Sequence, residues 1–218
     1  DLHLSLRRQR QMCIRDRLKL RMLSQGIAGP RFEKPEEVVE WMGAMQAQDI
    51  RAAKWAVGLR IASPSLTAVQ EALDTGRILR LHVMRPTWHY IPGRDIKWMT
   101  GLSTKGLLSK FRFYAKHFSL TEEDFLRSKP QIEEVLSGQH LTSQEVLEQL
   151  HSKGIALDEP IVKMYLSFGE ADGTVCSGIE KNGKHTYALT CERIPDAIEL
   201  SHEEALAELT RRYFRTVS

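Results

Sequence analysis

The chain has 218 residues, of which 42% are hydrophobic and 27% charged, and a formal net charge of +3; this is ordinary for a soluble globular protein with a real core. No apolar run is long enough to span a membrane, and the first residues do not form a signal peptide. Cys13, Cys176 and Cys191 lack the spacing of a metal site, so we expect a reduced, cytoplasmic protein with no metal and no cofactor.

The first 17 residues, called the lead below, resemble a segment that is foreign to the natural protein. Residues 12–17 (MCIRDR) resemble the translation of an adaptor used in sequencing libraries. The lead carries five arginines against two aspartates, so it accounts for the whole net charge and leaves residues 18–218 formally neutral. We expect residues 1–17 to be non-native or disordered, or at most a poorly packed helix. A short helix follows and ends at Gly26.

Residues 18–93 predict a first winged-helix unit, in which short helices precede a β-hairpin. The predicted elements are a helix from Pro35 to near Gln46, a helix at 50–60, a helix at 66–74, and hairpin strands at 77–84 and 87–92. Proline followed by acids is typical of a helix start, Asp49 is a good N-cap for the next helix, and residues 63–65 (SPS) cap the one after it. The β-branched and aromatic runs around Arg85-Pro86 indicate the hairpin.

The segment Gln46-Ala47-Gln48 lies where one predicted helix ends and the next begins. Residues two apart on a continuous helix point to nearly opposite faces, so the two glutamines can share a pocket only at a break. A glutamine amide offers two donors and one acceptor but has no useful pKa. It can hold and orient a water molecule, but it is no strong general base. The alternative is that both glutamines only cap the helix junction.

Residues 94–200 predict a linking helix followed by a second winged-helix unit, and residues 201–218 the start of a truncated third one. The linking helix, 95–118, interleaves aromatic and basic residues; such a pattern can bind nucleic acid, but we expect Phe111, Phe113, Tyr114 and Phe118 to be core. The elements that follow are helices at 121–138, 141–154 and 160–168, a hairpin at 174–180 and 185–190, and a helix at 205–214 that starts from a capping box at Ser201. Asn-Gly between the two strands is a strong hairpin signal.

Charge is segregated along the middle of the chain. Residues 77–117 contain nine basic residues and one acidic residue, whereas residues 118–161 contain nine acidic and three basic residues. This distribution suits a phosphate-facing surface with an acidic back. It suits equally well a basic helix that pairs with the acidic one inside the fold.

Two of these stretches resemble a known family. The run from Trp41 to Arg60, which includes Gln46-Ala47-Gln48, and the run from Arg85 to His89 resemble the winged-helix DNA glycosylases of the AlkZ/YcaQ type. In that family a Gln-x-Gln or Gln-x-Asp motif at this place is the catalytic signature. The resemblance covers residues 18–218. It implies a mainly α protein with small β-hairpin wings, built from tandem winged-helix units.

The resemblance also implies a function, namely a DNA-repair enzyme that hydrolyses the N-glycosidic bond of alkylated, N7-substituted purines, including crosslinked ones. Gln46 and Gln48 would be catalytic; a glutamine in place of an aspartate at position 48 argues for cationic lesions only. The candidate DNA contacts are Arg80, Arg85, Thr87 and His89 near the first wing and Lys181 and Lys184 at the second. We expect a monofunctional, monomeric enzyme that acts on double-stranded DNA without an obligate protein partner.

Two other classes of protein fit the same pattern. One is a non-catalytic winged-helix DNA-binding protein, such as a regulator, because the fold does not decide the function. The other is a protein-interaction scaffold. For His89 the competing interpretation is a histidine hydrogen-bonded within the wing, and for Lys181 and Lys184 it is simple solvation.

Overall fold

The computed structural model describes residues 2–29 and 31–217, with the side chains of residues 11–29 and 31–216. Within these ranges the protein is mainly helical and has two small antiparallel sheets, which confirms the predicted fold class. No helix in the described part of the chain is long and apolar enough to cross a lipid bilayer.

One long helix, α1 (Leu2–Ser24), runs through the lead and through the short helix predicted after it. The side chains of residues 11–20 are all exposed, as expected of a lead that packs poorly; residue 1 and the side chains of residues 2–10 lie outside the described part. The helix ends just before Gly26, whose φ of 64° fits the predicted glycine stop.

The first unit combines three helices with a three-stranded sheet. Its elements are α2 (Pro35–Met42), β1 (Met45–Gln46), α3 (Ile50–Gly58), α4 (Leu66–Asp74), β2 (Ile78–His82) and β3 (Trp88–Pro92). Strand β3 lies between β1 and β2, antiparallel to both. The sequence predicts that α2 reaches Gln46, but it ends at Met42, because Gly43 takes a left-handed φ of 74° and the chain then pairs with β3.

Side-chain caps begin α3 and α4, as the sequence predicts. The Asp49 carboxylate accepts hydrogen bonds from the N–H groups of Arg51 and Ala52 at 2.9 and 3.0 Å. The Ser65 hydroxyl accepts one from Ala68 N–H at 3.1 Å. Each cap satisfies a donor that the first helical turn leaves unbonded and contributes about 1 kcal/mol.

The second unit follows a long linking helix. Its elements, after a 3₁₀ turn at Gly93–Asp95, are α5 (Ile96–Ala115), α6 (Glu122–Leu136), α7 (Ser143–Ser152), α8 (Glu159–Asp172), β4 (Val175–Ser177), β5 (Tyr187–Leu189) and the short α9 (Thr190–Arg193). The predicted hairpin turn is confirmed, since Asn182 and Gly183 take φ values of 50° and 75°. Positive φ at both central residues matches the twist of a two-residue hairpin.

The aromatic residues of α5 correct one prediction. Phe111 is 6% exposed and belongs to the core of the second unit, but Phe113, Tyr114 and Phe118 are 62%, 49% and 42% exposed. The buried stripe of α5 repeats every four residues through Phe111 and Ala115. Phe113 and Tyr114 lie off that stripe, so helical geometry directs them away from the core. Phe118 lies beyond α5, at the end of a 3₁₀ turn, Lys116–Phe118.

The last helix, α10 (His202–Val217), joins the two units together. A hydrophobic cluster contains Leu81 of β2, Met99 of α5, Cys176 of β4 and Ala205 of α10. The first hairpin, the linking helix and the second hairpin therefore share one core. Strands β2 and β3 are therefore a part of the first unit that packs against the second unit.

Candidate active site

The two glutamines lie on the exposed side of β1 and of the residues just after it. Burial alternates along this segment: Met45 and Ala47 are 9% and 0% exposed, whereas Gln46 and Gln48 are both exposed. Successive residues of an extended segment point to opposite sides. A separation of two therefore puts both amides on the same side. The segment lies between α2 and α3, at the break that the sequence predicts, and a short strand occupies part of that break.

Pairing with β3 holds the glutamine segment in place. Gln46 lies opposite His89 in the strand register, and the Ala47 N–H donates to the Trp88 carbonyl at 2.7 Å. In return, the Trp88 N–H donates to Gln48 Oε1 at 3.3 Å. This second bond orients the Gln48 amide, because it directs the oxygen to the strand and leaves the NH2 group, a double donor, to meet a ligand.

A buried arginine lies behind this segment. Arg80 of β2 is 9% exposed; its Nε donates to the Ala47 carbonyl at 2.9 Å and its Nη2 to the Gln48 carbonyl at 3.3 Å. The guanidinium carbon lies 4.2 Å from the centre of the Trp88 ring, a cation–π contact. The Arg80 N–H donates to Ser177 Oγ at 2.9 Å. The sequence predicts Arg80 as a DNA contact, but these partners enclose its side chain.

The other predicted DNA contacts of the first wing are divided between surface and interior. Arg85 is exposed in the turn between β2 and β3, and Thr87 is half-buried. His89 is 6% exposed, and its Nδ1 lies 2.8 Å from the Thr87 carbonyl oxygen. Burial lowers the pKa of His89. His89 is thus hydrogen-bonded within the wing, which was the alternative to a DNA contact. Arg85 is open to solvent.

A cluster of histidines and aromatic rings, which the sequence does not predict, lies beneath the first wing. Glu170 of α8 is fully buried, and its Oε2 lies 2.6 Å from His82 Nδ1. The His82 ring packs on Trp88, with 4.1 Å between centroids, and Trp88 packs on His185, at 4.6 Å. Burial raises the pKa of Glu170 against the effect of His82 and lowers the pKa of His185 to about 3. His82 and Glu170 are 88 residues apart, so no spacing in the sequence signals their pairing.

Helix α10 fixes the chain just before the glutamine segment. The Arg215 Nη2 donates to the carbonyls of Glu40 and Trp41 at 3.1 and 3.0 Å, and its guanidinium carbon lies 4.4 Å from the centre of the Trp41 ring. These carbonyls belong to the last turn of α2, where a helix leaves acceptors unbonded. A side chain from the far end of the chain therefore caps the helix that leads into β1.

The tip of the second wing is exposed, as the sequence predicts. Lys184 is exposed, and Lys181 forms an ion pair with Glu145 at 3.0 Å. On the same hairpin, Glu180 pairs with Lys54 of α3 at 2.9 Å. The second wing thus reaches the helix that follows the glutamine segment.

The basic stretch, residues 77–117, pairs little with the acidic stretch after it. Among the described residues, the ion pair that joins the two stretches is Arg112–Glu122, at 2.6 Å. The other ion pairs that the described lysines and arginines of the basic stretch form are Arg77 with Glu36 and Glu71, Arg94 with Glu40, and Lys97 with Glu199. The side chains of Lys105, Lys110 and Lys116 are exposed. Much of this positive charge therefore faces solvent.

Comparisons with known proteins bear on the family and the fold. The family model described as DNA glycosylase AlkZ-like matches residues 39–217. Among solved structures, the Streptomyces sahachiroi DNA glycosylase AlkZ superposes with a TM-score of 0.72 over 91% of this chain, at 20% sequence identity. At that identity the likeness concerns the fold. The chain covers 55% of the length of that structure. No curated protein matches the sequence.

Proposed function

The chain belongs to the AlkZ-like DNA glycosylase family, and we propose that it removes alkylated, N7-substituted purines, including crosslinked ones, from double-stranded DNA. The match confirms the resemblance seen in the sequence around the glutamine motif. The observation that carries the proposal is the exposure of Gln46 and Gln48 on one side of a segment that β3 holds in place. The reaction is hydrolysis of the N-glycosidic bond, a step of DNA repair.

In this proposal the glutamines hold a water molecule and take no proton. An amide does not titrate near neutral pH, so neither side chain acts as a strong general base. The side-chain carbonyl oxygen of Gln46 accepts a hydrogen bond from the water. The side-chain NH2 group of Gln48 donates one to the water oxygen. The lone pair that remains on the water forms the bond to the sugar carbon as the bond to the purine N9 breaks; the base leaves as the neutral N7-alkylpurine, and the proton that the water loses passes to solvent. Correct placement of this kind lowers a barrier without a strong base.

The weak base chemistry selects the substrate. A purine alkylated at N7 carries a positive charge and is already a good leaving group, so it needs little help to depart. Positive charge then develops on the sugar, where the amide oxygen of Gln46 stabilises it. Because water rather than a protein amine attacks the sugar, we propose a monofunctional glycosylase without lyase activity.

The exposed basic side chains supply the contacts to DNA in this proposal. Arg85 at the first wing and Lys181 and Lys184 at the second are exposed, so they can neutralise backbone phosphates. Such contacts make binding strongly dependent on salt. Arg80 and His89 are enclosed within the protein and are not proposed as phosphate ligands.

The test is release of base from duplex DNA that carries N7-methylguanine. The double variant Gln46→Ala/Gln48→Ala should lower the rate by on the order of 10²-fold, since the attacking water loses its position. A matched control, Gln139→Ala/Gln144→Ala, removes two exposed glutamines from the second unit and should keep the parental rate. The control pair should leave the melting temperature unchanged, whereas the Gln46→Ala/Gln48→Ala variant loses the exposed hydrogen bond from the Trp88 N–H to Gln48 Oε1 and should be destabilised by no more than about 1 kcal/mol.

Two outcomes would count against the proposal. An unchanged rate in the Gln46→Ala/Gln48→Ala variant would remove the glutamines from the reaction. If the parent released no base from this lesion or from a bulkier N7 adduct but still bound DNA in a salt-dependent manner, the protein would be a non-catalytic winged-helix DNA-binding protein.

A further inference from the structure

Arg80 is an unusual residue to find in the interior of the protein. Its side chain is buried, yet no carboxylate of the described residues forms an ion pair with it; Glu170 and Glu180 act on its charge only from a longer range. Burying an unpaired charge is costly unless its donors are hydrogen-bonded. The partners of the guanidinium should therefore reveal why it lies there.

The partners of the Arg80 guanidinium belong to the glutamine segment and to the strand that holds it. The Nε and Nη2 of its planar guanidinium donate to the main-chain carbonyls of two consecutive residues, Ala47 at 2.9 Å and Gln48 at 3.3 Å. The face of the guanidinium lies on the Trp88 ring, and the Trp88 N–H in turn donates to the side-chain oxygen of Gln48 at 3.3 Å. Gln48 is thus held directly through its main chain and indirectly through its amide.

We propose that Arg80 is a positioning residue, which fixes the main chain at Ala47 and Gln48 and, through Trp88, the direction of the Gln48 amide. This inference rests on the proposed function of the glutamines. It differs from the role expected for Arg80 in the sequence analysis, because a positioning residue affects the chemical step, whereas a phosphate ligand affects DNA affinity.

The variant Arg80→Lys separates these two roles. Lysine keeps the positive charge but has no planar fork, so it cannot bond to two consecutive carbonyls as arginine does. We expect kcat for release of N7-methylguanine to fall by about 10²-fold, the scale of a misplaced reacting group. KM, the affinity for undamaged duplex DNA and its salt dependence should stay as in the parent.

Arg85→Gln is the matched comparison, because Arg85 is an exposed arginine of the same wing. This change should weaken binding to undamaged DNA and lower the slope of log affinity against log salt by about 0.9, the loss of one phosphate contact. Its effect on base release should be an increase in KM, because Arg85 acts on the binding of DNA. Arg80→Lys should thus lower kcat and leave DNA affinity unchanged, whereas Arg85→Gln should weaken DNA affinity.

Hydrogen exchange tests the positioning role without catalysis. In Arg80→Lys the Trp88 amide should exchange at least about tenfold faster, because its acceptor on Gln48 is no longer held (~1.4 kcal/mol per tenfold). The amides that pair β2 with β3 should keep their rates, which excludes general loosening of the wing. In the unmutated protein, the Arg80 Nε–H should exchange slowly, since the Ala47 carbonyl accepts its hydrogen bond.

Each outcome decides the inference. Weaker DNA binding with a lower salt slope and an unchanged kcat in Arg80→Lys would make Arg80 a phosphate ligand and overturn it. An unchanged Trp88 exchange rate would also overturn it. If the parent released no base, the proposed function would fail, and the exchange data would still decide whether Arg80 holds the segment. If Arg80→Lys did not fold, a fast-exchanging Nε–H in the parent would refute the inference and a slow one would support it.

Discussion

His185 should make the folded protein sensitive to acid. Its enclosed Nε2 has no hydrogen-bond partner among the described residues, and its ring packs against Trp88 and Tyr187 with centroid distances of 4.6 and 4.7 Å. Burial, together with the nearby positive charge of Arg80 and the His82 ring, lowers the pKa of His185 from 6.5 to about 3. The ring is therefore neutral in the folded state over the whole range in which the unfolded chain takes up a proton.

The sign and size of the effect follow from proton linkage. As the pH falls below 6.5, His185 binds a proton in the unfolded state, whereas in the folded state it stays neutral down to about pH 3. The free energy of unfolding therefore decreases between these two pH values. Each pH unit between them corresponds to about 1.4 kcal/mol. Acidification from pH 8 to pH 5 should thus remove at most about 2 kcal/mol through His185.

The variant His185→Phe isolates this contribution, because it keeps an aromatic ring in the cluster and removes the titrating group. We would measure the free energy of unfolding in urea at pH 8 and pH 5 for the parent and the variant. The parent should lose about 2 kcal/mol more than the variant. Burial also lowers the pKa values of His89 and His140, but both residues are present in both proteins and cancel. Equal losses in the two proteins would refute the reasoning.

Two further predictions test the placement of individual side chains. Lys184→Gln at the tip of the second wing should weaken DNA binding and lower the salt slope by about 0.9, because one phosphate contact is lost; an unchanged slope in fluorescence titrations would remove this lysine from the interface. Phe111→Ala should lower the free energy of unfolding by about 3–5 kcal/mol, since a buried ring leaves a cavity. Phe113→Ala, at 62% exposure, should change it by less than about 0.5 kcal/mol, and similar losses for both variants in urea titrations would contradict their placement on α5.

Local signals in the sequence were reliable where a few neighbouring residues contain the whole interaction. The caps at Asp49 and Ser65, the capping box at Ser201 and the Asn-Gly turn of the second hairpin all form as predicted. Each depends on hydrogen bonds or dihedral angles within about four residues. The glutamine motif is also local; with the residues around it and the run from Arg85 to His89, it pointed to the candidate site and the family.

Helical periodicity was less reliable at the edges of elements. Val38, Met42 and Met45 recur at helical spacing, so the pattern extends the helix past its real end at Met42. Residues 45 and 46 are a strand because Tyr90 and His89, far along the chain, offer them a paired edge. In α5 the aromatic residues suggested core by type alone, but only the helix rotation against its neighbours decided that Phe111 is inside.

The sequence by itself determined the types of most elements, their order, the residues of the turns and the two glutamines as candidates for the site. Each of these depends on residues that are close together in the chain. The tertiary structure alone decided that both glutamines are exposed, Gln46 at the end of β1 and Gln48 just after it, that Arg80 is enclosed behind them, and that His82 meets Glu170. These features need contacts between residues 32 to 88 positions apart. Such contacts form only when several elements pack at once, and no local pattern specifies which distant side chain fills the space behind a given backbone segment.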